Sequence, residues 1–259
     1  MAVNLWTREE LILAFNLYLK LPFGKLHTRT PEIIELANLT GRTVNSIAIR
    51  LTNFASCDPY HQNRGVKGMI GGLKQCQPIW DEFSKNKEGL IFESENILAQ
   101  KEHLTIETKF DDLLFDIKDL KGETKLREVK TRVNQNVFRQ IVVANYSGKC
   151  AISGIDIPEL LFASHIIPWS KNENERLNPE NGICLSALYD KAFDKGFIGI
   201  NENLDVLIST DLKKKNKHDY YLKYFSHLDK TKITVPQRYL PNKDFLQYHL
   251  DEIFEKRNI

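Results

Sequence analysis

The sequence predicts an α+β protein in two parts, a helical N-terminal part and a C-terminal part in which short strands lead into a helix. Three observations carry this. Apolar residues recur at helical spacing through the first 56 residues. From about residue 126 the pattern changes, and the short apolar pieces "LFASHII" and "GICLS" are separated by a polar loop and followed by the helical "ALYDKAFDKG". Between the two parts, residues 91–125 are charged with only short apolar runs. The division this suggests is 1–85 for a helical domain, 86–125 for a connecting region and 126–259 for a second domain with a helical C-terminal extension.

The first helix opens on "TREE", a capping box in which Thr7 caps and Glu10 bonds back. Leu11, Ala14, Phe15, Tyr18 and Leu19 then line one helical face. In "TPEIIELANLTG", Thr30 is the expected cap, Pro31 fills the first helical position and Gly41 is the stop. In the next helix Val44, Ile47, Ala48, Leu51 and Phe54 form the apolar face, leaving Asn45, Ser46, Arg50 and Asn53 mostly exposed. Two helices joined by "TGRT" make a helix-turn-helix, whose second helix suits a major groove read by Asn and Arg. Arg42, Asn45, Ser46 and Arg50 are the candidate DNA-binding residues. A helical bundle whose polar face only meets water has the same spacing. The opening tryptophan and "GRTVNSIAIRL" also resemble the Myb/SANT class of DNA binders, without that class's regular tryptophan repeat. Residues 57–90 are rich in glycine and polar residues, with a short helix expected around 78–83.

In the second part, "REVKTRVNQNVFRQIVVANYSGKC" reads as a helix ending at Gly148, and "CAISG" and "LFASHII" as short strands. Gly196 stops the helix after "GICLS", "FIGINENLDVLIS" reads as a hairpin, and a last amphipathic helix starts near Asn242.

Composition sets limits. Lys and Arg total 36 against 34 Asp and Glu, so net charge gives no argument for nucleic acid, and any such argument must come from local clusters. The cysteines at 57, 76, 150 and 184 form no C-x-x-C pair, which speaks against a zinc knuckle or a disulfide framework. "MAVNLWTREE" does not read as a signal peptide, and no run approaches the ~20 apolar residues of a bilayer span. The expected compartment is a reducing cytoplasm, with no membrane partner.

His165, Asn181 and the pair Asp190 and Asp194 stand in order on a strand, a loop end and a helix. The two aspartates are four apart and share a helix face. Phosphodiester hydrolysis needs a base for water, and a neutral imidazole suits it. It also needs a divalent cation on the phosphate charge, for which carboxylates are hard ligands. The same residues also fit a packed core histidine, an Asn-Gly turn and a solvated helix face. Basic groups lie nearby: Arg176, Lys191 and Lys195 around the motif, and Arg127, Lys130, Arg132 and Arg139 on the preceding helix.

The ordered run "CAISG … LLFASHIIPWS … NPENGICLSALYDKAFDKGFIGI", from Cys150 to Ile200, resembles the HNH nucleases, in the subfamily found in restriction-type endonucleases. The resemblance implies a ββα-metal fold, with His165 as general base, Asn181 shaping the loop and orienting that base, and Asp190 binding the metal. It implies DNA as partner and a divalent ion, magnesium first, with manganese, nickel or zinc as alternatives. Restriction of foreign DNA, modified DNA included, is the implied setting, and double-strand cutting would call for a homodimer. Two departures matter. Many family members carry an aspartate before the base as a second metal ligand, where this chain has Ser164, so Ser164 and Asp194 both stand as candidates for that ligand. Asp190 also replaces the usual His or Asn. A DNA-binding regulator with a degenerate HNH fold and an RNA-acting nuclease remain the alternatives.

Overall fold

The computed structural model describes residues 5–117 and 119–256. The chain divides into two units, residues 1–137 and 138–259.

In the first unit, the capping box forms as expected. Thr7 accepts from the Glu10 amide at 3.3 Å, Glu10 accepts from the Thr7 amide at 2.7 Å, and α1 runs Arg8–Lys20. Helix α2 (Pro31–Thr40) begins on Pro31 and stops at Gly41, whose φ of 68° is easy only for glycine. Thr30 occupies the N-cap position, but its hydroxyl donates to the Lys25 carbonyl, so it does not cap by side chain. Thr43 does, accepting from Ser46 N at 3.2 Å to open α3 (Val44–Cys57).

These three helices are not a domain by themselves. Past the short α4 (Pro59–Gln62), α5 runs Ile70–Phe83, far longer than the short helix expected around 78–83, with Pro78 inside it. Phe15 of α1 stacks between Phe54 of α3 and Trp80 of α5, at centroid distances of 4.8 and 5.1 Å. Residues 86–125 carry helices of their own. Helix α6 (Lys87–Lys101) buries Leu90 and Ile91, and Asn16 of α1 donates to its Ser94 and Glu95, each at 2.9 Å. After α7 (Ile106–Lys109), Ile106, Phe110, Leu114 and Ile117 form a small core with Val129 and Val133 of α8 (Gly122–Asn145). The boundary between the units falls within α8.

The second unit holds a strand pair, β1 (Leu161–His165) and β2 (Gly182–Ser186), antiparallel with His165 opposite Gly182. Helix α9 (Ala187–Asp194) follows β2 directly and packs on both strands. "CAISG" is a turn, not a strand. The Cys150 sulfur accepts from Ser153 N at 3.3 Å and Ser186 N at 3.1 Å, and Gly154 closes the turn at φ 72°. The hairpin forms as β3 (Ile198–Ile200) and β4 (Val206–Ile208). Short helices α10 (Thr210–Lys213) and α11 (Asp219–Tyr224) precede α12 (Lys243–Glu252), capped by Asn242. Among the described residues no helix is long and apolar enough to cross a membrane.

Candidate nuclease site

Successive residues of a strand face opposite ways, and at the end of β1 this separates two roles. Ser164 donates to Asp190 of α9 at 2.6 Å. His165 stacks on Phe138 of α8, at 4.1 Å and 15°, with Trp169 edge-on at 5.5 Å. Its Nε2 lies 2.8 Å from the Arg176 carbonyl. A carbonyl only accepts, so this assigns the proton of the neutral ring to Nε2 and leaves the lone pair on Nδ1. Burial holds the imidazole below its ordinary pKa, while the Arg176 carbonyl and the charge of Asp194 pull it partly back.

The loop that supplies this carbonyl is tied together by Asn181, which is 1% exposed. Its side chain accepts from Ile167 N at 2.7 Å and donates to the carbonyls of Ile167 and Glu175, both at 3.1 Å. Its main-chain carbonyl takes the Ile166 amide at 3.0 Å. Asn181 therefore touches the residues that follow His165 and the one before Arg176, and reaches the imidazole only through them. Gly182 is not a turn residue. It is extended, at φ −130°, and a Cβ there would lie 2.5 Å from Val142 and 2.8 Å from Phe138. The glycine lets β2 lie against the same stretch of α8 that stacks the histidine.

Asp190 is half-buried in the first turn of α9. Burial raises its pKa, with Asp194 adding to the rise; the Ser164 hydrogen bond and Lys191 oppose it. Asp194 and Lys191 are exposed on α9, and so is Lys195 just past its end. Among the described residues, no three His, Cys, Asp or Glu side chains stand together as a ready metal cage. The donor set still fits a hard cation. Two neighbouring carboxylates raise each other's demand for positive charge, and magnesium takes one or two carboxylates together with substrate phosphates rather than an all-protein cage.

Other expected contacts are spent elsewhere. The Arg176 guanidinium donates to the Trp169 carbonyl at 2.8 Å and lies over its ring. Arg139 donates to the carbonyls of Leu161 and Pro158. Arg132 pairs with Asp116 at 2.7 Å and Lys130 with Glu88 at 3.3 Å. In the N-terminal unit, Arg42 holds both oxygens of Glu10 at 2.8 Å and lies over Trp6. Arg50 and Asn53 were expected on the exposed side but are 7% and 2% exposed. Helix α5 covers that face: Arg50 donates to Gly72 O and Gln75 Oε1, and Asn53 accepts from the Met69 amide just ahead of α5. Asn45 stays exposed and Ser46 half-buried, joined on that face by Ile49 and Thr52. Phe138 and the Arg176 carbonyl had no signal in the sequence, because each meets His165 only through the tertiary fold, whereas Trp169 lies in the same short segment as the histidine.

The end of β1 thus carries an imidazole on one face and, through Ser164, an aspartate of the following helix on the other. Residues 150–201 match the family model described as HNH endonuclease, which supports a nuclease. Members of that family generally use a divalent metal ion. No curated protein matches the chain.

Proposed function

We propose that the protein is a metal-dependent DNA endonuclease, acting in restriction of foreign, including modified, DNA in the cytoplasm. The observation that carries this is the placement of the His165 imidazole, locked by the Arg176 carbonyl, one residue from the Ser164–Asp190 hydrogen bond. His165 Nδ1 takes the proton from the attacking water. The imidazolium so formed is stabilised by the Arg176 carbonyl and the negative charge of Asp194. Asp190, with Asp194 as second candidate, would hold the divalent ion, with magnesium favoured and manganese, nickel or zinc as alternatives. That ion supplies charge neutralisation at the phosphate and leaving oxygen. Ser164 donates its hydrogen bond to Asp190, so its role here is to aim the carboxylate. Asn181 is a positioning residue that fixes the loop behind the base. Lys191 and Lys195 meet phosphates through charge alone, which makes affinity salt-dependent. Asn45 and Ser46 are the readers left available on α3. One such centre cuts one strand, so double-strand breaks would require two copies.

Plasmid nicking tests this. Cleavage is expected with magnesium or manganese, and loss of cleavage in His165→Ala. Full metal-dependent cutting by that variant would remove His165 as the base. Ser164, standing where a carboxylate is common, favours one rival, a DNA-binding protein with an inert centre. Tight binding with no cleavage under magnesium, manganese, nickel or zinc would establish it.

A further inference from the structure

We infer that the side of α9 next to the site carboxylates holds an unstacked nucleobase of the strand being cut, an inference that rests on the nuclease reading above. A cavity of about 640 Å³ opens there, within the ~300–1,000 Å³ range of small-molecule pockets. Its floor is apolar, including Leu188 and the buried Phe225. Its rim carries Lys191, Lys195 and Lys215, and among the described residues none of these three pairs with a carboxylate. The lining carboxylate, Asp211, is engaged by Lys214 at 3.1 Å. Tyr220 stands at the wall, 46% exposed, with its ring stacked on His218 at 5.3 Å.

An apolar floor, an aromatic wall and a cationic rim match a flat nucleobase carried between phosphates. Proteins that hold single strands combine such aromatic platforms with cationic tracks. A paired base stays stacked inside its duplex and cannot enter a concave pocket, so the occupant is unstacked. The pocket and the site share α9: the lining residue Lys191 follows Asp190, about 100° further round the helix, and Lys195 follows Asp194 at the helix end.

The test uses full-length protein and duplexes with 2-aminopurine placed in turn at each of six positions beside the mapped cut. With the His165→Ala protein, which is expected to bind without cutting, fluorescence should rise at one of the six positions. Tyr220→Ala in that background should abolish the rise, and Tyr220→Phe should keep it. In the wild-type background, Tyr220→Ala should raise KM about tenfold with kcat unchanged. No rise at any position, or a rise that survives Tyr220→Ala, overturns the inference. So does free dAMP saturating the pocket while the duplex signal stays flat, which would mark a mononucleotide site. Cleavage by the wild-type protein, followed in parallel, separates the two readings: a flat signal with normal cutting removes only the pocket, while absent cutting removes the nuclease.

Discussion

The second unit contains two histidines in nearly the same local setting. His165 stacks on Phe138 at 4.1 Å and gives Nε2 to the Arg176 carbonyl at 2.8 Å. His249 stacks on Phe193 at 3.7 Å and gives Nε2 to the Phe193 carbonyl at 3.0 Å. Burial lowers both pKa values, that of His249 to about 4. The difference is at Nδ1 and in the surrounding charge. His249 is 1% exposed and its Nδ1 is buried without a partner, whereas His165 is half-buried and within reach of the Asp194 charge. A stacked, carbonyl-locked imidazole is therefore a packing solution that serves equally for core and reagent. What separates the two is access to Nδ1 and a carboxylate that favours the protonated ring.

The largest expected effect breaks this pair apart. His165→Ala should lower turnover by about 10²–10⁴, the usual worth of general base catalysis, with DNA binding held. His249→Ala should leave kcat unchanged below its melting point and lower that melting point. Equal loss of turnover in both variants would mean that the access argument fails.

The next effect concerns stability against pH. The folded pKa of His249 is about 4, against ~6.5 unfolded, so the unfolded chain binds the extra proton between these values. Its contribution is fully present above pH ~6.5 and is lost as pH falls through 4. The 2.5-unit gap is worth about 3 kcal/mol. Urea titrations across that window should show the slope, and His249→Phe, which keeps the ring stack, should flatten it. An unchanged slope in the variant would assign the acid loss to other groups.

These histidines also mark what could be read from sequence. The order β1, loop, β2, α9 was legible because each element is set by neighbours: the strand run ending at His165, Asn181 closing the loop, Gly196 stopping the turn after the helix. The capping box at Thr7 and Glu10 is local in the same sense. Contacts between distant segments were not legible. Phe138 meets His165 only because Gly182 lets β2 approach α8. Arg50 and Asn53 are polar at positions that look exposed on one helix, and a later helix, α5, turns them inward. The sulfur of Cys150 gathers amides from Ser153 and Ser186, so an apparent strand becomes a turn.

A smaller effect tests whether Asn181 acts through the loop. Asn181→Ala removes three side-chain hydrogen bonds, leaving buried main-chain groups unpaired at about 1–3 kcal/mol each before the loop relaxes. The Arg176 carbonyl should lose its fixed place, and with it a contact that raises the His165 pKa. Turnover should fall, and the acid limb of the kcat profile should move further down. A lower melting temperature with an unmoved acid limb would make Asn181 structural only.

The smallest effect separates two roles for Asp194. As a field on His165 it raises the imidazole pKa, so Asp194→Asn should shift the acid limb, already below ~6.5, to still lower pH. Turnover on the neutral plateau should change by less than about tenfold, since the stronger base is lost but the neutral fraction is not. As a metal ligand, the same residue would govern the magnesium concentration needed for half-maximal rate. Titrating magnesium at pH 8, where His165 is neutral in both proteins, isolates that second role. An unchanged magnesium requirement with a displaced acid limb leaves Asp190 as the carboxylate that holds the ion. A raised requirement with an unmoved limb would instead assign Asp194 to the metal and leave the tuning of His165 to burial and the Arg176 carbonyl.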